Sequence, residues 1–180
     1  MNPKKRYTHL FFDLDNTLWD FNANAFHALQ EVFSCYGLHL SNVRFLDFFR
    51  VYSDFNRGLW DAWRQGKVVK NELICLRFQY TIDKLQIRNI DPGEMNELYL
   101  IEMSKQKRLI DGTENLLSYL KLKGYKLFII TNGFTRMQHK KMESSGIKDY
   151  FGKIYISEEI KSAKPAKKIF EYALKSSNAR

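Results

Sequence analysis

The sequence predicts an α/β protein: a parallel sheet of alternating strands and helices, opened after its first strand by an insertion of four helices. Three observations carry this. An apolar run over residues 7–12 stops at two carboxylates, Asp13 and Asp15. Four amphipathic stretches with no strand between them fill residues 20–105. From Asp111 onward, short β-rich runs alternate with helical periods, the pattern of parallel strands joined by crossover helices.

The elements follow in order. Residues 7–12 read as strand 1. Ala25, Leu29, Val32, Phe33 and Tyr36 then recur at helical spacing, with Gly37 as the stop. A second helix starts near Ser41 or Asn42. It carries the aromatic stripe Phe45, Phe48, Phe49, Tyr52, Phe55, Leu59, Trp60 and Trp63 and closes at Gly66; such a stripe reads as core with a rim able to line a pocket. Residues 70–86 form the third helix, with Leu73, Ile74, Phe78, Ile82 and Leu85 inward. Asp91-Pro92-Gly93-Glu94 supplies an N-cap, a first-turn proline and a Glu three residues on, so a fourth helix follows with Met95, Leu98 and Tyr99 inward and Glu102 outward. Helices of this kind bury their stripes against one another. Asp111-Gly112-Thr113-Glu114 opens the next helix, closed by Gly124. Residues 125–130 are strand 2, ending in Thr131-Asn132-Gly133; a helix covers 134–145; residues 151–156 are strand 3. Lys164-Pro165 opens the last helix, with Ile169, Phe170 and Leu174. The expected division is residues 1–19 with 106–180 as the α/β core and 20–105 as the helical insertion.

The chain has 180 residues, 44% of them hydrophobic, enough for one core with an inserted module. No apolar run reaches the length of a membrane span. Lys4-Lys5-Arg6 ahead of residues 7–12 superficially resembles a signal peptide, but the apolar part is too short and Asp13 interrupts it. Cys35 and Cys75 have no metal-ligand spacing and read as buried thiols, which fits a cytoplasmic protein. The net charge of +9 is uneven: residues 104–180 hold 17 Lys and Arg against 7 Asp and Glu. A basic half can mark a nucleic-acid surface. These lysines are instead scattered through amphipathic helices, without interleaved aromatics, so a nucleic-acid-binding module is the lesser alternative.

Side chains alternate along a strand, so Asp13 and Asp15 share a face if the strand runs through both. The ends of parallel strands lie on one edge, where ligands bind. That edge would gather Asp13, Asp15 and Thr17, then Thr131 and Asn132, then Lys164. A carboxylate at a strand tip can attack phosphorus and form an aspartyl-phosphate, the role open to Asp13. Asp15 can protonate the leaving oxygen and later activate water. Lys164 supplies charge to phosphate oxygens, and the Thr131 hydroxyl and Asn132 amide supply donors. Asp13 and Asp15 together also invite Mg²⁺, an ion that prefers oxygen ligands.

The chain at this point resembles the haloacid dehalogenase (HAD) superfamily. Asp13-Leu14-Asp15-Asn16-Thr17 is similar to its first motif, Thr131 after an apolar strand to its second, and Lys164-Pro165 to its third. The resemblance spans essentially the whole chain. It implies a Rossmann-like core with a four-helix cap, Asp13 as nucleophile, Asp15 as acid/base, Thr131 and Lys164 on phosphate, and Mg²⁺ on the Asp13 carboxylate and the Asp15 backbone carbonyl. Asp15 sits where family dehalogenases lack an acid, and Thr17 where mutases tend to carry Val. The expected activity is therefore a phosphatase on a small phosphate ester, with Thr131-Asn132-Gly133-Phe134 similar to 5′-nucleotidases. One departure stands out. The family's fourth motif, acids that complete the metal site, has no counterpart after Lys164, as in a C-terminally shortened enzyme. Strand 1 would then be an exposed edge able to pair with another chain, and a catalytically weak or inactive form is the competing reading.

Overall fold

The computed structural model describes residues 7–179; the Lys4-Lys5-Arg6 run lies outside them. Three strands, β1 (His9–Phe12), β2 (Lys126–Thr131) and β3 (Phe151–Ile156), form one parallel sheet in the order β1-β2-β3. The register sets Phe12 opposite Ile129 and Thr131 opposite Ile156. Asp13 therefore leaves β1 close to the level at which β2 reaches Thr131. The middle strand is buried from Leu127 to Thr131. That explains its unbroken apolar run, since a strand covered on both faces does not alternate.

Four helices follow β1 in the inserted segment: α1 (Phe21–Cys35), α2 (Phe45–Arg64), α3 (Lys70–Lys84) and α4 (Pro92–Lys105). Then come α5 (Thr113–Leu122), α6 (Thr135–Ser144), α7 (Ser157–Ile160) and α8 (Lys167–Ser177). The chain forms two compact units, one holding the residues up to Ala23 and from Gln106 on, the other Asn24–Lys105. In the first unit Phe128, Ile130 and Tyr155 of the sheet pack on Ile169 and Ala173 of α8, with Phe11 and Ile160 alongside. In the second, Phe48 meets Phe33 at 5.6 Å between ring centres, and Tyr52 meets Phe78 at 4.8 Å. Of the stripe, Phe48, Tyr52 and Leu59 are buried, and Phe45, Phe49, Phe55, Trp60 and Trp63 are half-buried. Among the described residues no helix is long and apolar enough to cross a membrane.

Four details depart from the sequence reading. Lys164-Pro165 does not open the last helix: α8 starts at Lys167, and the Lys164–Pro165 bond is a cis peptide within the preceding turn. The second helix starts at Phe45, because Ser41 instead bonds its hydroxyl back to Leu38 C=O at 2.6 Å and closes a 3₁₀ turn. Both cysteines are exposed. Cys75 lies two residues from Leu73 and from Arg77, about 200° around the helix from that buried face. Glu102 is buried, with Lys105 Nζ at 2.6 Å; it lies three residues from the buried Tyr99 and shares its face.

Candidate active site

The turn after β1 is built on the main chain. Leu14 C=O accepts from Leu18 and Trp19 N–H, both at 3.0 Å, and Asn16 takes a left-handed conformation (φ 57°) while its N–H donates to Trp19 C=O. Asn tolerates that region better than most residues. Trp19 is fully buried and pairs with Leu109, and Ile110 N–H donates to Leu18 C=O at 2.9 Å. Residues returning from α4 therefore clamp the turn that carries Asp13 and Asp15.

Asp13 is half exposed. Its Oδ1 accepts from Leu14 N–H at 2.8 Å and meets Lys164 Nζ at 2.7 Å. Its Oδ2 meets no donor among the described residues and stands open for chemistry. Lys164 is held from β2: Asn132 Oδ1 accepts from Lys164 N–H at 2.7 Å, and Asn132 Nδ2 donates to Lys164 C=O at 2.9 Å. The Asn132 side chain thus has its bonds with the Lys164 peptide. Beside Asp13 and Lys164 opens a groove of about 240 Å³ lined by Phe11, Phe12, Phe170 and Leu174, along the edge strand β1.

Asp15 is bound at both oxygens. Lys141 Nζ lies 2.6 Å from Oδ1, and Gln138 Nε2 donates to Oδ2 at 2.9 Å. Gln138 Nε2 also donates to Thr131 Oγ1 at 2.6 Å. The Lys141 side chain is only 4% exposed, and its ammonium sits 4.7 Å from the Trp19 ring centre and 5.2 Å from that of Phe21. A buried ammonium needs such partners, a carboxylate and aromatic faces. Five residues singled out from the sequence thus fall into two bonded groups: Asp13 with Lys164 and Asn132, and Thr131 with Asp15 through Gln138.

Gln138 and Lys141 were not found from the sequence. A signal existed. A helix following a core strand should bury an apolar stripe, yet α6 offers only Met137 and Met142 and otherwise polar residues. The face it buries is Gln138, Lys141 and Met142.

The donor set also bears on a divalent cation. Asp13 Oδ2 and the Asp15 main-chain carbonyl accept no bond from the described residues, whereas each oxygen of the Asp15 carboxylate accepts one. No group of three or more His, Cys, Asp or Glu among the described residues is placed to hold a metal. Mg²⁺ keeps several waters and often takes only one or two carboxylates plus substrate oxygens, so the Asp13 carboxylate and the Asp15 carbonyl fit it.

Comparison with known proteins bears on the family and the fold. The haloacid dehalogenase-like hydrolase family model matches residues 7–180. Pyrimidine 5′-nucleotidase YjjG of Escherichia coli (strain K12) is 35% identical over 169 residues, 94% of this chain and 71% of that protein. Pyrimidine 5′-nucleotidase PynA of Streptococcus pneumoniae is 30% identical over 166 residues, 92% of this chain and 68% of its own. The crystal structure of the HAD-hydrolase YfnB of Bacillus subtilis, bound to magnesium, superposes with a TM-score of 0.81 at 32% identity, covering 96% of this chain and 73% of YfnB. The family match, the parallel sheet and these identities lead to one conclusion: the protein belongs to the haloacid dehalogenase-like hydrolases.

Proposed function

We propose that this hydrolase cleaves phosphomonoesters, with nucleoside 5′-monophosphates of the pyrimidine series as its substrate class. The observation that carries the reading is the state of Asp13: one oxygen is fixed by Leu14 N–H and Lys164, and the other is left open at a strand tip. That is how a carboxylate nucleophile should be presented. Asp13 Oδ2 attacks phosphorus, the ester oxygen leaves, and an aspartyl-phosphate forms. Asp15 gives the leaving oxygen a proton and takes one back from the water that hydrolyses the aspartyl-phosphate, regenerating Asp13 and releasing phosphate. Lys164 and the Thr131 hydroxyl balance charge on the transferred group, while Asn132 holds Lys164 in position. Mg²⁺ would be held by the Asp13 carboxylate and the Asp15 main-chain carbonyl, and would supply positive charge between two anions. The pyrimidine preference rests on the substrates named for YjjG and PynA. The helical unit Asn24–Lys105 is proposed as the cap that selects the ester.

The test is phosphate release from a panel of nucleoside monophosphates, with and without Mg²⁺, by the wild-type chain and Asp13→Asn. Turnover that needs Mg²⁺ and drops by at least ~10³-fold in Asp13→Asn is expected. Undiminished turnover in the variant would remove Asp13 from the reaction.

A further inference from the structure

Helix α6 buries an amide where an apolar side chain would pack at lower cost. Gln138 has no exposed surface. Hiding an amide from water is unfavourable unless its hydrogen bonds are replaced. Here only one end is satisfied: Nε2 makes two bonds, and Oε1 is buried with no partner among the described residues. A residue serving packing alone would not carry an orphaned acceptor.

The two bonds fix the amide's orientation. Its nitrogen carries two hydrogens, one for Asp15 Oδ2 and one for Thr131 Oγ1. The reverse orientation would set Oε1 against a carboxylate oxygen, acceptor on acceptor. The bond to Thr131 has a consequence for that residue's own proton. A hydroxyl has two lone pairs and one hydrogen. The Thr131 oxygen receives Gln138 Nε2 at 2.6 Å and faces Gly133 N–H at 3.4 Å. With donors on its lone pairs, the hydroxyl hydrogen is left to donate outward.

Gly133 makes the arrangement sterically possible. A Cβ at that position would stand 2.3 Å from both Cδ and Nε2 of Gln138. The amide lies against bare backbone, and its place is reserved by the glycine of Thr131-Asn132-Gly133.

We propose that Gln138 is a positioning residue that acts on two groups at once: it holds the Asp15 carboxylate in place for proton exchange, and it turns the Thr131 hydroxyl proton toward a phosphate oxygen. This rests on the reading of Asp13, Asp15 and Thr131 as the phosphoryl-transfer groups. Gln138 itself touches no substrate. Lys141 completes the hold on Asp15 from the other oxygen.

The experiment uses the full chain with Mg²⁺ and uridine 5′-monophosphate, and p-nitrophenyl phosphate as a second ester. Gln138→Met keeps volume and removes the donor; Gln138→Glu keeps shape and replaces the donor with an acceptor. Both are expected to melt cooperatively, with Gln138→Met close to wild type, and to lose kcat by on the order of 10- to 100-fold, the scale of misplaced catalytic groups. A residue acting through Thr131 must also couple to it, so the losses of Gln138→Met and Thr131→Val should be clearly less than multiplicative when combined. Folded Gln138→Met within about 2-fold of wild-type kcat, or multiplicative losses in the double variant, would overturn the proposal while leaving the phosphatase reading intact. A wild type that hydrolyses neither ester, or an unimpaired Asp13→Asn, would remove that reading and this proposal with it.

Discussion

Asn132 grips the peptide of Lys164 from both sides, accepting from its N–H at 2.7 Å and donating to its C=O at 2.9 Å. The side-chain amide works there like one more residue of backbone pairing, tying the end of β2 to a loop 32 positions on. The Lys164 ammonium in turn meets Asp13. Asn132→Ala should therefore lower kcat/KM on the order of 10- to 100-fold, because the ammonium loses its fixed origin. The stability loss should be about 1–2 kcal/mol. Asn132→Asp keeps the acceptor for Lys164 N–H and loses the donor, and should fall between. Steady-state kinetics with a denaturant melt on each variant checks this. Equal activity in all three proteins would show that the clamp is not needed.

Gly133→Ala should reproduce the Gln138 defect from a different position. The added methyl group would displace the amide it touches, and the backbone must also give. We expect a stability loss of about 1–3 kcal/mol, as for other overpacked sites. We also expect a kcat loss comparable to that of Gln138→Met, with no further loss in the double variant. Full additivity of the two would mean that the glycine serves the turn alone.

The strand ends were legible because parallel strands must end on one edge, so an acid pair, a Thr-Asn pair and a lysine at three successive ends had to converge. Which oxygen meets which donor was not. Asn132 read as a donor to phosphate because an amide after a strand has no fixed partner in the sequence; its partner lies 32 residues away, in a turn whose geometry periodicity does not encode. Gln138 and Lys141 escaped for the opposite reason. Polar residues on an amphipathic helix are read as its solvent face, and only their shared spacing with Met142 betrays that they point inward. The buried Glu102 shows the same blind spot in the helical unit.

That unit also holds a buried cation. Arg77 is 4% exposed; its Nε donates to Asn96 Oδ1 at 3.0 Å, its Nη2 bonds the same oxygen, and its Cζ lies 5.0 Å from the Tyr99 ring centre. Asn96→Ala removes that acceptor while the guanidinium stays buried. The cost should be about 2–4 kcal/mol, the range for stripping a partner from a buried charge. Arg77→Met combined with Asn96→Leu removes both polar groups and should recover a large part of it. Urea unfolding of the two proteins decides the matter, and a double variant no more stable than Asn96→Ala would contradict it.

Tyr52, packed against Phe78, gives the unit an alkaline limit. Burial pushes the Tyr52 phenol above its ordinary pKa of 10.0, with the charge of Arg77 pulling the other way. In the unfolded chain the phenol ionises near 10; in the folded protein it keeps its proton to higher pH. The contribution of the buried phenol is therefore complete below pH 10 and is lost as pH rises from there toward the folded value, with a limiting slope of about 1.4 kcal/mol per pH unit. Tyr52→Phe has no proton to lose at this position. Wild type and variant should show a stability difference that is constant between pH 7 and 9 and shifts in favour of phenylalanine from pH 10 upward. Parallel melting curves of the two proteins through pH 11 would show that Tyr52 ionises as freely in the folded unit as in water.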